Sequence, residues 1–508
     1  MSTAGVVLVN PRICRPQNCR LPLSLLALGA VLEGRHDYCI VDGNLDPDAP
    51  ASTVRALDAM GRSGASPLVV GITVMPGPQV ASAIEVSRAV RASRPEVPIL
   101  WGGYFPTLYP DAAVNAPYVD CAVRGQGEGT LLDLLERIRD SGVGSLSGLW
   151  GVTWKNGSAI VHNPDRPLQP PDSLPPLPYG RLGDLRAYLR PSFMGARTAV
   201  HQAAVGCRYH CTFCGVASMF NGQTRLQSPG RLLSALETLR DHHGATAVQF
   251  YDNNFFDREE TSVPILEALE RAGLPWWCYA RADTLAGFSP STWQLIRRSR
   301  LRMAYIGAEA ASDSVLRAMR KGTRVEHTLE VAARCREHGV IPEFSFILGG
   351  PEDPEEETER TLQFVRRVKR AHPECEVILY FYSPTPQRGA ARAGEAAQEP
   401  PVMHRYGPAG PELPATPDEW AEPQWVAWVC HQDAPWLSPR MRQRVRDFAR
   451  VLACRFPTVQ DVRTPRWGRA VLRAAASWRY ATGRFDNPWE LERLRRLIPL
   501  KEPQTESL

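Results

Sequence analysis

Along the first 145 residues, short apolar runs alternate with longer stretches in which apolar positions return every three to four residues. Val6–Val9, Tyr38–Val41, Leu68–Ile72, Ile99–Trp101 and Val119–Val123 read as strands, and Leu21–Glu33, Gln79–Ser93 and Thr130–Arg139 as helices. Brief, uninterrupted apolar strands separated by amphipathic helices are what a parallel sheet covered on both faces requires. Residues 1–145 are therefore expected to form an α/β domain of the doubly wound type, with ligands beyond the carboxyl ends of its strands.

The pattern changes at 146–192. Asn156-Gly157 between β-forming runs predicts a tight hairpin over 151–161, and Pro164, Pro167, Pro170, Pro171, Pro175, Pro176 and Pro178 hold the following chain extended as a connector. A second rhythm occupies 193–393, with strands at Thr198–Val205, Val248–Tyr251, Trp276–Ala280, Met303–Gly307, Glu343–Leu348 and Glu376–Tyr382 and helices between them. Six strand–helix units predict a partial (β/α)6 barrel, whose strand ends face the reaction space. In residues 394–508 tryptophans recur at 420, 425, 428, 436, 467, 478 and 489. This reads as a small helical domain packed on the open side of the barrel.

With 508 residues, 44% hydrophobic and 22% charged, the chain has the composition of a soluble protein of several domains. Nine of its 12 cysteines are scattered without a disulfide-like spacing, which favours a reducing cytoplasm. Leu21–Leu32 follows Arg12, Arg15 and Arg20 in the manner of an export signal, but it contains Pro22 and comes after a strand, so it is read as an internal helix. No run reaches the roughly 18 apolar residues of a membrane span. A net charge of +5 gives no argument for nucleic acid. From Trp436 to Leu508, however, 16 Lys and Arg stand against 7 Asp and Glu. Solvated helix faces, an acidic substrate or peripheral contact with anionic lipid would each account for that excess.

The remaining three cysteines lie together in Gly206-Cys207-Arg208-Tyr209-His210-Cys211-Thr212-Phe213-Cys214, directly after a strand. Thiolates select zinc, copper(I) or iron–sulfur clusters. A zinc site would need a fourth ligand, for which His210 is the local candidate, and buried core cysteines are the bland alternative. The C-x3-C-x2-C spacing, with Phe213 before the last cysteine, resembles the loop of the radical S-adenosylmethionine (SAM) enzymes. That resemblance implies a [4Fe–4S] cluster on Cys207, Cys211 and Cys214, with SAM chelating the open iron. It further places Asp252 and Asn253 at the methionine end of SAM, Arg281 at its carboxylate, Glu309 at the ribose and Ile347, in Ile347-Leu348-Gly349-Gly350-Pro351-Glu352, along the adenine.

Ahead of that loop, Trp101-Gly102-Gly103-Tyr104-Phe105-Pro106-Thr107 and Arg124-Gly125-Gln126-Gly127-Glu128-Gly129-Thr130 follow two strands of the first domain. Together with the cysteines they resemble the cobalamin-dependent radical SAM proteins, which implies a corrinoid resting on Gly102, Gly103, Tyr104, Thr107, Gly125, Gln126, Gly127 and Glu128. Two departures from related patterns stand out. Asn10-Pro11-Arg12-Ile13-Cys14 carries no D-x-H-x-x-G histidine to ligate cobalt, and Tyr104 stands where many relatives have histidine. A flavodoxin-like domain without a ligand is the competing reading. The family implies methylation of an unactivated carbon of a small molecule, with an external flavodoxin- or ferredoxin-type electron donor. Oxidative cyclisation or rearrangement with the same cofactors, as in the anaerobic magnesium-protoporphyrin ester cyclases, and a cobalamin-sensing protein are the alternatives.

Overall fold

A computed structural model describes residues 4–500 apart from 351–352, 388–401, 404–411, 433, 435 and 462–463. The first sheet contains β1 (Gly5–Asn10), β2 (Asp37–Asp42), β3 (Leu68–Thr73), β4 (Ile99–Gly102), β5 (Cys121–Val123), β6 (Val152–Asn156) and β7 (Ala159–His162), in the order β2-β1-β3-β4-β5-β6-β7. β1–β5 are parallel, and every residue of β1 is buried because helices cover both faces. The hairpin β6–β7 pairs antiparallel with β5. It thus extends the first sheet, although the sequence had set it within the connector. The helix Leu23–Leu32 lies where the apolar run after Arg20 predicted an internal helix. A helix at Ala49–Arg62, capped by the Asp48 carboxylate on Ala51 N–H, was not anticipated.

The second sheet begins with the antiparallel edge strand β8 (Arg190–Ser192) and with β9 (Gly195–His201). The strand expected at 198–205 breaks at Gln202. Beyond the break, β10 (Ala204–Gly206) leaves the sheet and pairs with β11 (Thr224–Leu226), so that the cysteine loop is carried on its own two-stranded ribbon. β12 (Ala247–Phe250), β13 (Trp276–Arg281), β14 (Leu301–Glu309), β15 (Ile341–Leu348) and β16 (Glu376–Phe381) complete the order β16-β15-β14-β13-β12-β9-β8. Six parallel strands form the partial barrel, with alternate residues facing its helices and its lumen. Trp276, Cys278, Ala304 and Ile306 pack into the helix-side core.

The tail divides between the two sheets. Trp420, in the helix Pro417–Trp420, joins the core of the first sheet against Phe105 and Tyr109, with Trp425 and Val429 packed alongside. The helices Pro439–Arg455, Arg466–Thr482 and Trp489–Leu497 pack through Phe448, Leu472 and Leu491 on the barrel core, joined by Phe485 from the connection between the last two. Thr458 and Gln460 close the barrel at the amino ends of its strands. The Thr458 hydroxyl and Val459 N–H donate to Glu376, and Gln460 Nε2 donates to Glu343 at 3.0 Å and to Glu376 at 2.9 Å.

Candidate active site

β10 ends at Gly206, whose φ is +86°, and a Cβ there would strike the Gln223 carbonyl, so only glycine can turn the chain into Cys207. The loop then runs to the helix Gly215–Phe220, with Cys214 N–H donating to Cys211 O at 3.1 Å and Thr212 N–H to Met319 O at 3.0 Å. The three sulfurs lie close enough to act on one another's charge. Burial pushes the Cys207 thiol up and the Cys214 thiol to about 12, with Lys321 opposing both shifts and Arg281 that of Cys207. Bound metal charge would restore the thiolates. Among the described residues no three His, Cys, Asp or Glu side chains gather around a single ion. His210, the candidate zinc ligand, is exposed and lies over Gly222.

Two buried cations flank the loop. Arg281 Nη1 points at Cys211 Sγ at 3.6 Å, its guanidinium stacks 3.5 Å from the centre of the Tyr209 ring, and it is fixed by Asp283 at 3.0 Å and by the Lys321 carbonyl. Lys321, which the sequence reading missed, donates to Glu309 Oε1 at 2.6 Å and lies 5.7 Å from the Phe213 ring. Burial works against its charge, but Glu309 and Cys211 outweigh burial and its pKa is raised. Glu309 is buried, with φ at +62°, at a bulge of β14. Arg281 and Glu309, expected at SAM, are thus also built into the support of the cysteine loop.

The other residues expected at SAM occupy the same end of the barrel. Phe213 and Ile347 pack on one apolar cluster of Ala310, Val315, Leu316 and Met319. Ile347, Gly349 and Gly350 face Ala310, Val315 and Met319 across a narrow gap with room for about 10 Å³, and the Trp436 indole N–H caps the Gly349 carbonyl. Pro351 and Glu352 lie outside the described residues. Asp252 is fully buried after β12. Its Oδ1 accepts from Ala204 N–H, its Oδ2 has no partner, and burial raises its pKa to about 7. Asn253 is exposed, whereas Asn254 beside it is buried and donates to Phe256 O at 2.7 Å.

An open cleft of about 200 Å³ lies at the carboxyl ends of β3, β4 and β5. Gly102, Gly103, Gly125, Gln126, Gly127 and Glu128 line it, with Gly71 and Thr73 at its floor and Leu23, Leu28 and Leu131 as its apolar wall. Gln126 turns a buried amide nitrogen toward the Glu128 carboxyl, while its oxygen accepts from Gln169 N–H at 2.7 Å. Burial raises the Glu128 carboxyl. Thr107 is buried below, tying the two glycine loops together. Its hydroxyl donates to Gly103 O at 2.6 Å and accepts from Gly125 N–H at 3.0 Å. Tyr104 opens a short helix, Tyr104–Leu108, and its hydroxyl is set against Gly215 and Cys214 rather than in the lining of the cleft. The facing wall comes from the barrel: Gln202, Val205 and Phe220.

The Radical SAM superfamily model matches residues 202–365, and the B12 binding domain model matches residues 15–135. The chain is a radical SAM enzyme with a B12-binding domain. It is 26% identical over 354 residues to an uncharacterized methyltransferase of Pyrococcus horikoshii, covering 68% of this chain and 73% of that one. It is 24% identical over 397 residues to the anaerobic magnesium-protoporphyrin IX monomethyl ester cyclase of Synechocystis sp., covering 74% and 73%. The fold is shared with the radical SAM methyltransferase TsrM from Kitasatospora setae, solved with tryptophan substrate and a SAM analogue, at a TM-score of 0.59 and 18% identity over 76% of this chain and 74% of that one.

The enzyme's cofactors are a [4Fe–4S] cluster, SAM and cobalamin, and the residues fit them. Buried cations stand ready beside three thiols, apolar side chains pack along Ile347, and the cleft has a floor of glycine that leaves room for a flat ring. No helix among the described residues is long and apolar enough to cross a membrane.

Proposed function

We propose that this enzyme methylates an unactivated carbon of a small molecule. When bound, the cluster and SAM supply a 5′-deoxyadenosyl radical and cobalamin supplies the methyl group, so the protein's work is to hold, orient and keep dry. The observation that carries the reading is that Val205 and Phe220, on either side of the three cysteines, line the same cleft as the glycine loops of the first sheet. One space therefore adjoins both the cysteine loop and the B12-binding domain, as a methyl carrier and a radical generator that serve one substrate require.

In this reading Cys207, Cys211 and Cys214 hold the irons, with Arg281 and Lys321 balancing their charge. Lys321 orients Glu309 toward the ribose, and Ile347 packs on the adenine. Asp252, through Ala204, fixes the ribbon that carries the loop, and Asn253 stands at its rim. Gly102, Gly103, Gly125, Gln126, Gly127 and Glu128 cradle the corrinoid, Thr107 braces that cradle, and Tyr104 links it to the cysteine loop. An external flavodoxin- or ferredoxin-type protein donates the electron.

The substrate occupies the barrel lumen. Trp277 and Tyr279 face the lumen with ring centres 4.6 Å apart, Tyr279 and Tyr305 are 5.0 Å apart, and Tyr305 donates to the Tyr380 hydroxyl at 3.4 Å. Such a wall suits an apolar or aromatic group with a polar edge. The experiment is anaerobic reconstitution. Wild type should hold about four irons and one corrinoid per chain, and Cys211→Ala should lose iron while keeping the corrinoid. Stoichiometric zinc without iron would refute the reading.

A further inference from the structure

Among the described residues, five of the eight exposed large hydrophobic side chains fall between Trp467 and Leu497. On the helix Arg466–Thr482, Trp467, Ala470, Val471, Ala474, Trp478 and Ala481 recur at helical spacing and share one face about 100° wide. That face is exposed throughout, with Trp467 at 65%, Val471 at 42% and Trp478 at 48%, while Gly468, Leu472, Ala476 and Arg479 on the opposite face are buried. An apolar stripe of this width normally faces a core; this one faces outward. The neighbouring helix Trp489–Leu497 adds Trp489 at 52% and Leu497 at 80% exposure, with Arg493 lying 5.0 Å from the Trp489 ring.

We propose that this surface docks the enzyme on an anionic lipid bilayer, with Trp467, Val471 and Trp478 in the headgroup–acyl boundary and Arg466, Arg473, Arg493 and Arg496 on lipid phosphates. Charge complementarity selects this occupant. Between Arg466 and Leu500 there are eight arginines and three acids. Each acid is paired with an arginine: Asp486 with Arg444, Glu490 with Arg479 and Glu492 with Arg450. Arg466, Arg473, Arg484, Arg493 and Arg496 are exposed. Tryptophan beside arginine on one helical face is the composition of an interfacial helix.

A second copy of the chain fits less well, because a two-fold contact would bring the same arginines face to face. The electron donor is disfavoured by position. The helix begins just after Thr458–Asp461, at the amino ends of β15 and β16, and the cysteine loop lies beyond the carboxyl ends, on the order of 20 Å away along the strands.

The test is co-sedimentation of the reconstituted enzyme with phosphatidylcholine vesicles, with and without phosphatidylglycerol, and the proposal stands apart from whether the enzyme methylates. Binding should require the anionic lipid and fall steeply with salt. Arg466→Gln and Arg473→Gln should each weaken it about fivefold. Trp467→Ser with Trp478→Ser should abolish it while SAM cleavage is retained, which shows the variant to be folded. Equal binding to both vesicle types, or to neither, overturns the proposal. So does sedimentation equilibrium that shows a dimer in wild type and a monomer in the tryptophan variant.

Discussion

Arg281 reaches the Cys211 sulfur at 3.6 Å, so a residue at the end of β13 holds the middle cysteine of a loop some 70 residues earlier in the chain. The same guanidinium stacks on Tyr209 and pairs with Asp283, a planar, forked arrangement that lysine cannot copy. Arg281→Lys and Arg281→Ala are both expected to lower iron retention or turnover by roughly 10–100-fold, as the loss of an outer-sphere partner does. Iron analysis after gel filtration checks this. Full iron retention and full activity in Arg281→Lys would show that charge alone suffices.

Tyr104 and Gly215 form the seam between the first domain and the cysteine loop. A Cβ on Gly215 would meet the Tyr104 ring and its hydroxyl, with Leu108 close behind. Gly215→Ala should therefore cost about 1–3 kcal/mol by overpacking. Tyr104→Phe, which keeps the ring and removes the hydroxyl, should cost about 1 kcal/mol. Chemical denaturation of the two variants beside wild type measures both values, and a Gly215→Ala protein as stable as wild type would mean that the seam is slack.

Asp252 predicts a pH dependence of the chain without cofactors. Its carboxyl titrates near 3.8 when free and at about 7 in the fold. Below the lower value the group is neutral in both states. Between the two the unfolded chain loses its proton first, so stability falls as pH rises, by on the order of 4 kcal/mol in all. Asp252→Asn should flatten the decline between pH 4 and 7, and parallel wild-type and variant profiles would contradict the assignment.

Gly71 lies in the floor of the cleft, where an added Cβ already approaches Leu8 at 3.3 Å. Gly71→Val should cut corrinoid retention at least about tenfold through steric exclusion while leaving iron content unchanged. Absorbance of the corrinoid after desalting reads the outcome. Undiminished corrinoid would place it elsewhere.

Both sheets were legible because their strands are short apolar runs bounded by glycine or polar residues, as in Val6–Val9 and Trp276–Ala280. The helix Ala49–Arg62 was not, because its buried face, Ala49, Thr53 and Leu57, is regularly spaced but made largely of small side chains that mark a core stripe only weakly. The Asn156-Gly157 turn announced a hairpin, but its antiparallel seat beside β5 is a long-range pairing that no local pattern encodes. Motif spacing exposed the three cysteines and the glycine loops. Lys321 escaped because its role depends on the bulge that turns Glu309 inward, and Tyr104 was expected at the corrinoid instead of the cysteine loop because its partner Gly215 lies in the other domain. The tail reads as one helical unit from its tryptophans, yet Trp420 belongs to the first core and Phe448 to the second.

Transfer of a labelled methyl group tests the central claim most directly. The holoenzyme, reduced without oxygen and given SAM labelled in its methyl group, should place one label on the bound corrinoid per chain and release S-adenosylhomocysteine before any substrate is added. Formation of 5′-deoxyadenosine with no label on the corrinoid and no S-adenosylhomocysteine would contradict methyl transfer and turn the assignment toward cyclisation or rearrangement.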